Sequence, residues 1–155
     1  MINDKIQAYF VNEKYPLIKD GDEVAVIYSW HKLDHAMLIL TSDTYNVVPV
    51  LNKSSQVVGL ISMSRIVKAV VSGADFSFGD LDQYTVQEVM DQDFDKLVLG
   101  EFDLEDVLQQ LVSTSFLCVV DDQGIFKGII TRSTILQGIN RLAHEIDQDY
   151  DLADK

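Results

Sequence analysis

Apolar positions along the chain alternate between helical and strand periods. Ile2, Ile6, Tyr9 and Phe10 have helical spacing, and Pro16 bars that helix from continuing. After the polar turn Lys19-Asp20-Gly21-Asp22, Val24 to Tyr28 reads as a short buried strand. Leu33 to Thr41 is apolar nearly all round, the pattern of a helix covered on more than one side. Val47 to Leu51 and Val57 to Ile61 flank a polar turn, Asn52 to Gln56, and predict a β-hairpin. Ser62 then stands at the cap of a helix carrying Ile66, Val67, Val70 and Val71.

The same order returns. Beyond a Gly/Asp-rich linker, Thr85 and Glu88 have capping-box spacing, Leu97 to Leu99 reads as a strand, and Asp103 caps a helix running to about Ser113. Phe116 to Val120 and Phe126 to Ile130 form a second hairpin around Asp121-Asp122-Gln123-Gly124. Thr131 caps a last helix with Ile135, Leu136, Ile139 and Leu142. Val47 to Val70 lies over Phe116 to Ile139 without a gap at an offset of 69, so that Gly59-Leu60-Ile61-Ser62 matches Gly128-Ile129-Ile130-Thr131. Upstream, Leu33, Ala36, Met37 and Leu40 match Leu104, Val107, Leu108 and Leu111 at an offset of 71. The chain is two copies of one unit. It divides into an N-terminal helix (1–16), repeat 1 (17–72), linker (73–84), repeat 2 (85–144) and an acidic tail (145–155), the last expected to be solvated and frayed.

Composition narrows the function. At 155 residues, two repeats that share a core fit the length better than two independent domains. With 12 basic and 25 acidic residues the formal charge is −13, a field opposed to nucleic-acid polymers. The N-terminus lacks a basic, apolar leader, and no apolar run approaches the roughly 20 residues that span a bilayer, so a soluble cytoplasmic protein is expected. The single cysteine, Cys118, lies in the apolar run Phe116 to Val120 and reads as core.

Catalytic constellations are missing. His31, His35 and His144 have no Cys or His at metal-ligand spacing, and the chain carries no nucleophile elbow, Walker loop or dinucleotide-binding glycine loop. A non-enzyme without cofactor or metal is expected. What recurs is a strand bearing Gly, two apolar residues, then Ser62 or Thr131 at a helix start. Free N–H groups and positive potential at such a start suit a phosphate. Simple capping by the hydroxyls, with the glycines as packing positions, accounts for the same pattern.

The element order, the duplication, and the two Gly-x-x-Ser/Thr steps resemble a tandem CBS-domain pair over about Val24 to Leu142. The resemblance implies an α/β (α+β) fold, a Bateman module in which two β-α-β-β-α units pack face to face and leave two clefts. Such pairs commonly bind adenine nucleotides, often with an Asp six residues after the glycine to hold the ribose hydroxyls. Here those positions are Arg65 and Thr134, which argues against AMP, ADP or ATP. Val24-Ala25, Leu33, His35-Ala36, Leu40-Thr41, Tyr45, Pro49-Val50 and Thr131-Arg132 are similar to the small stand-alone CBS proteins that bind cyclic di-AMP in Gram-positive bacteria.

That resemblance implies a ligand site of Glu23, Val24, Ala25, Val26, Thr44, Tyr45, Asn46, Val48, Pro49, Thr131, Arg132 and Ser133. Val24 and Ala25 would face an adenine edge, Tyr45 would stack or hydrogen-bond, and Arg132 would bring a bidentate fork to a phosphate. Glu23 stands where relatives have Lys, Asn46 replaces a small hydroxyl residue, and Tyr45 also reads as a plain loop aromatic. The second cleft has Met63 in place of Arg132 and is expected to stay empty. The resemblance further implies a homodimer that docks on a (p)ppGpp synthetase/hydrolase, and sometimes pyruvate carboxylase, under control of its ligand. An adenylate-energy sensor and a ligand-free dimerisation module are the competing classes.

Overall fold

The structure, a computed structural model, describes residues 2–10, 16–42, 46–72 and 78–149. Helix α1 (Asp4–Phe10) and the two-residue strand β1 (Lys19–Asp20) precede repeat 1, which runs β2 (Ile27–Tyr28), α2 (Leu33–Ser42), β3 (Val47–Leu51), β4 (Val57–Ser62) and α3 (Met63–Ser72). Repeat 2 follows as β5 (Lys96–Val98), α4 (Leu104–Leu111), β6 (Phe116–Val120), β7 (Phe126–Thr131) and α5 (Arg132–Asp149). The mixed α/β architecture is the one expected from the repeat.

The duplication holds to the residue. Val47 pairs with Ser62 and Phe116 with Thr131, and both antiparallel hairpins carry their irregularity at the same place, between Val50 and Leu51 and between Val119 and Val120. Each hairpin receives its parallel neighbour alike, β2 on β3 and β5 on β6. Ser62 Oγ accepts the Arg65 N–H at 3.0 Å and Thr131 Oγ1 the Thr134 N–H at 3.0 Å, so both predicted caps form. Asp103 caps α4, accepting the Asp106 N–H at 2.9 Å.

The recurring glycines resolve as packing positions. β1 crosses over to pair with β7, and a Cβ on Gly128 would collide with the Lys19 carbonyl oxygen. In the mirrored place Asp91 bridges Leu60 of β4, and a Cβ on Gly59 would stand 2.9 Å from the Asp91 carbonyl oxygen. Each repeat thus lends a segment to the other's sheet. Phe10 and the partly buried Leu17 and Ile18 join the core of repeat 2, while Leu81, Val86, Val89 and Met90 join that of repeat 1. Thr85 to Met90, which opens the second copy in sequence, therefore packs on the first in space. Its predicted capping pair forms, with Glu88 Oε2 accepting the Thr85 N–H at 2.7 Å.

A third apolar cluster joins the two sheets face to face, with Leu51 and Val57 of repeat 1 against Phe116, Cys118, Val120 and Ile129 of repeat 2. The hairpin tips lock together: Val57 N–H donates to the Gly124 carbonyl at 3.2 Å and Phe126 N–H to that of Ser55 at 2.9 Å.

Three expectations change. The strand read over Val24 to Tyr28 is regular only at Ile27–Tyr28, which pair with Val50 and Leu51 of β3. Helix α2 is covered on one face only, with Leu33, Ala36 and Leu40 buried and Leu38 66% exposed. The acidic tail does not begin as a frayed segment: α5 continues to Asp149, and the Tyr9 hydroxyl donates to Glu145 Oε2 at 3.1 Å.

Candidate functional site

The two sheets leave two clefts: Ser62 and Arg65 at the start of α3 line the larger one, whereas Thr131, Arg132 and Ser133 at the start of α5 are not among the residues lining the smaller. In the smaller, first cleft, Val24, Ala25, Val48 and Pro49 converge, as the sequence suggests, with Val47, Phe116 and Ile129. The space between them is only about 10 Å³. Val26 turns instead into the cluster between the sheets. Glu23 is exposed in a short 3₁₀ turn, Gly21–Glu23, and Asn46 is exposed before β3. Thr44 and Tyr45 lie outside the described residues.

At the helix start, Thr131 is 6% exposed, and its hydroxyl is already engaged with the Thr134 N–H and, at 2.9 Å, the Thr134 hydroxyl. Ser133 is exposed on the first turn of α5. Arg132 is exposed too, but its fork is partly used. Nε donates to the Leu111 carbonyl at 3.0 Å and Nη2 to the Thr114 carbonyl at 2.9 Å, satisfying acceptors at and just past the end of α4. These bonds occupy one edge of the guanidinium. The opposite Nη1/Nη2 edge has no partner among the described residues and keeps two parallel donors.

The second cleft, expected to be empty of the matching fork, is the roomier one, with a cavity of about 440 Å³. Ser62 and Arg65 at the start of α3 face Asp91, Asp93 and Asp95 across it, with Phe94 and Phe116 in the wall. Arg65 Nε donates to the Val89 carbonyl at 2.9 Å. Three carboxylates against one guanidinium make this space hostile to a phosphate at neutral pH. Phe116 and Val47 line both clefts, so the two share a wall.

Val47, Phe116 and Ile129 were not among the residues singled out from sequence. The duplication held the signal: Phe116 sits over Val47 at the offset of 69, so a cleft built on the start of β3 had to involve the start of β6. Nothing in the spacing announced the Asp91, Asp93, Asp95 face, because single acids in a chain with 25 of them are unremarkable.

The described residues hold no group of three His, Cys, Asp or Glu side chains arranged for a metal, and no helix among them is long and apolar enough to cross a membrane. Cys118 is buried, and burial pushes its thiol up to about 12, which removes the thiolate a nucleophile needs.

Duplicated units, exchanged segments and two clefts between the sheets define a paired-repeat α/β module. A model of the CBS domain matches residues 23–72 and 86–141, and the chain belongs to the CBS-domain family. It is 33% identical over 122 residues to cyclic di-AMP receptor B of Bacillus subtilis (strain 168), which covers 79% of this chain and 82% of that protein. The structure of CbpB from Streptococcus agalactiae superposes with a TM-score of 0.87 at 28% identity, covering 99% of this chain and 96% of that one. Listeria monocytogenes CbpB in complex with c-di-AMP gives 0.75 at 35% identity, over 82% and 94%.

Proposed function

We propose that this protein is a non-catalytic cyclic di-AMP receptor of the cytoplasm, held in the cleft between Ala25, Pro49 and the start of α5. The observation that carries the reading is its 33% identity to a cyclic di-AMP receptor across 82% of that receptor. Two features of the chain agree with it. Arg132 keeps a free donor edge at the start of α5, whereas the larger cleft is lined by three aspartates. Arg65 and Thr134 stand where a ribose-binding carboxylate would serve AMP, ADP or ATP.

At about 10 Å³ this cleft must widen for a dinucleotide, and Phe116 and Val47 also border the larger cavity. The protein acts as a homodimer: Leu38 (66% exposed), Val67, Val71, Leu136 and Ile139 leave apolar helix surface uncovered in both repeats. The apo dimer docks on a (p)ppGpp synthetase/hydrolase, or on pyruvate carboxylase, and cyclic di-AMP releases it.

The 440 Å³ cavity favours one rival, in which the ligand enters the second cleft. Calorimetric titration with cyclic di-AMP, AMP, ATP and cyclic di-GMP tests the receptor, with saturable binding of the first alone at one site per chain as the expected result. Binding of AMP or ATP with equal strength, or of no nucleotide, refutes it. Loss of binding in Arg65→Ala but not in Arg132→Ala moves the site to the second cleft.

A further inference from the structure

At the opposite end of β3 from the clefts lies a surface that shares no lining residue with them. Tyr28 ends β2 opposite Leu51, at the hairpin end of the sheet, whereas Val47 and Ser62 mark the cleft end. The length of β3, roughly 15 Å, separates the two. There Trp30, the sole tryptophan, is 44% exposed although such a ring gains most from burial. It stacks on Tyr28 with centroids 4.8 Å apart, and the Lys53 ammonium lies 5.8 Å from its centroid. His31 and His35 pack edge to face at 4.6 Å beside it, and an open depression of about 340 Å³ runs along Trp30, His31, Lys32 and His35.

Charge sets this patch apart from the rest of the molecule. In a chain of net charge −13, Lys32 and Lys53 are both exposed, and neither is paired with a carboxylate among the described residues. Asp34 also lines the depression, but its carboxylate is turned to the His35 N–H at 2.8 Å. His31 Nδ1 is buried there without a hydrogen-bond partner. Trp and Tyr are residue types enriched among protein-interface anchors, and the two lysines beside them add complementarity to an acidic partner. The protein's own field opposes a polyanion such as nucleic acid more than a short segment with a few carboxylates.

We infer that the Trp30–Lys53 surface docks an acidic protein segment, with an apolar anchor on the Trp30 and Tyr28 rings and carboxylates on Lys32 and Lys53. It rests on the docking half of the proposed function and is independent of which nucleotide the cleft takes. The same run of chain links the two, since Val24 and Ala25 line the cleft and Tyr28 and Trp30 follow within six residues.

Because Trp30 is the sole tryptophan, its emission reports this surface alone. The probe is a synthetic peptide of about a dozen residues with four glutamates around a Leu-Phe pair. Expected is a saturable change in emission below about 1 mM, weakened on the order of tenfold or more in Lys53→Glu and in Lys32→Glu and lost with the glutamine analogue. Absence of a saturable change, an equal response to the glutamine analogue, or wild-type binding by both charge-reversed variants overturns the inference. Tighter binding of a single-stranded oligonucleotide than of the peptide also overturns it. Far-ultraviolet circular dichroism establishes that the variants are folded, and Lys53→Glu should titrate with cyclic di-AMP as the wild type does. A loss of nucleotide binding in that variant would show that the patch belongs to the cleft and overturn the assignment. Failure of the wild type to bind cyclic di-AMP would instead refute the receptor reading and leave the peptide result standing.

Discussion

Arg132→Ala separates two tasks that one side chain performs. Its Nε and Nη2 bonds to the carbonyls of Leu111 and Thr114 tie the start of α5 to the end of α4. Hydrogen bonds from a charged donor contribute roughly 1.5 to 3 kcal/mol when shielded, but this residue is exposed, so together the two are worth about 1 to 2 kcal/mol. For a chain of this size that lowers Tm by roughly 2 to 8 °C. In the proposed site the free edge of the fork would meet a phosphate, and its loss should weaken cyclic di-AMP binding on the order of 10-fold to 100-fold. Differential scanning fluorimetry reads the first effect and titration calorimetry at a temperature well below Tm the second. Arg132→Lys should recover part of each, since one ammonium can reach a carbonyl or a phosphate but cannot present two parallel donors. An Arg132→Ala protein that bound the ligand like wild type, while Arg65→Ala lost it, would refute the placement. An unchanged Tm would show that the carbonyl contacts contribute nothing.

Gly128→Ala should destabilise by roughly 1 to 3 kcal/mol, because the added methyl meets the Lys19 backbone, which cannot move aside as a side chain can; chemical denaturation measures it, and a neutral result would mean that β1 is not seated on β7. Cys118 should resist a disulfide reagent at about pH 8 in the native protein and react at once on unfolding, since burial holds its pKa near 12. His31 has its pKa lowered, first by desolvation and then by His35, from the ordinary 6.5. The unfolded chain therefore takes up a proton as pH falls through about 6.5 while the folded one does so only at lower pH, and the stability lost in that window should be smaller in His31→Gln when Tm is followed down to about pH 5.

Repeats and caps were legible in the sequence because they rest on local rules. A side-chain oxygen three residues before a free N–H is the local signature of a helix cap, and Ser62, Asp103 and Thr131 all act so. Pairing between distant segments was not legible. Nothing local to Lys19-Asp20 says that it belongs on β7, and the glycine that receives it was equally compatible with a ligand. The site was half readable: Val24, Ala25, Val48 and Pro49 do converge, since strand ends bring them together. The direction of Arg132 was not, because a long side chain at a helix start can turn outward to a ligand or back to the carbonyls of the preceding helix, and the chain alone does not decide between them.

The crossing of β1 onto β7 and of Asp91 onto β4 means that cutting this molecule at its internal boundary would yield two fragments, each missing an edge of its sheet and part of its core. Neither half is a self-sufficient folding unit. A single-repeat chain of this design would find its missing edge only in another copy, by trading arms. The fused, two-repeat chain makes that trade internal, which fixes the stoichiometry of the halves and leaves each free to diverge. One helix start could then carry an arginine and the other a methionine without either cleft losing the scaffold that shapes it.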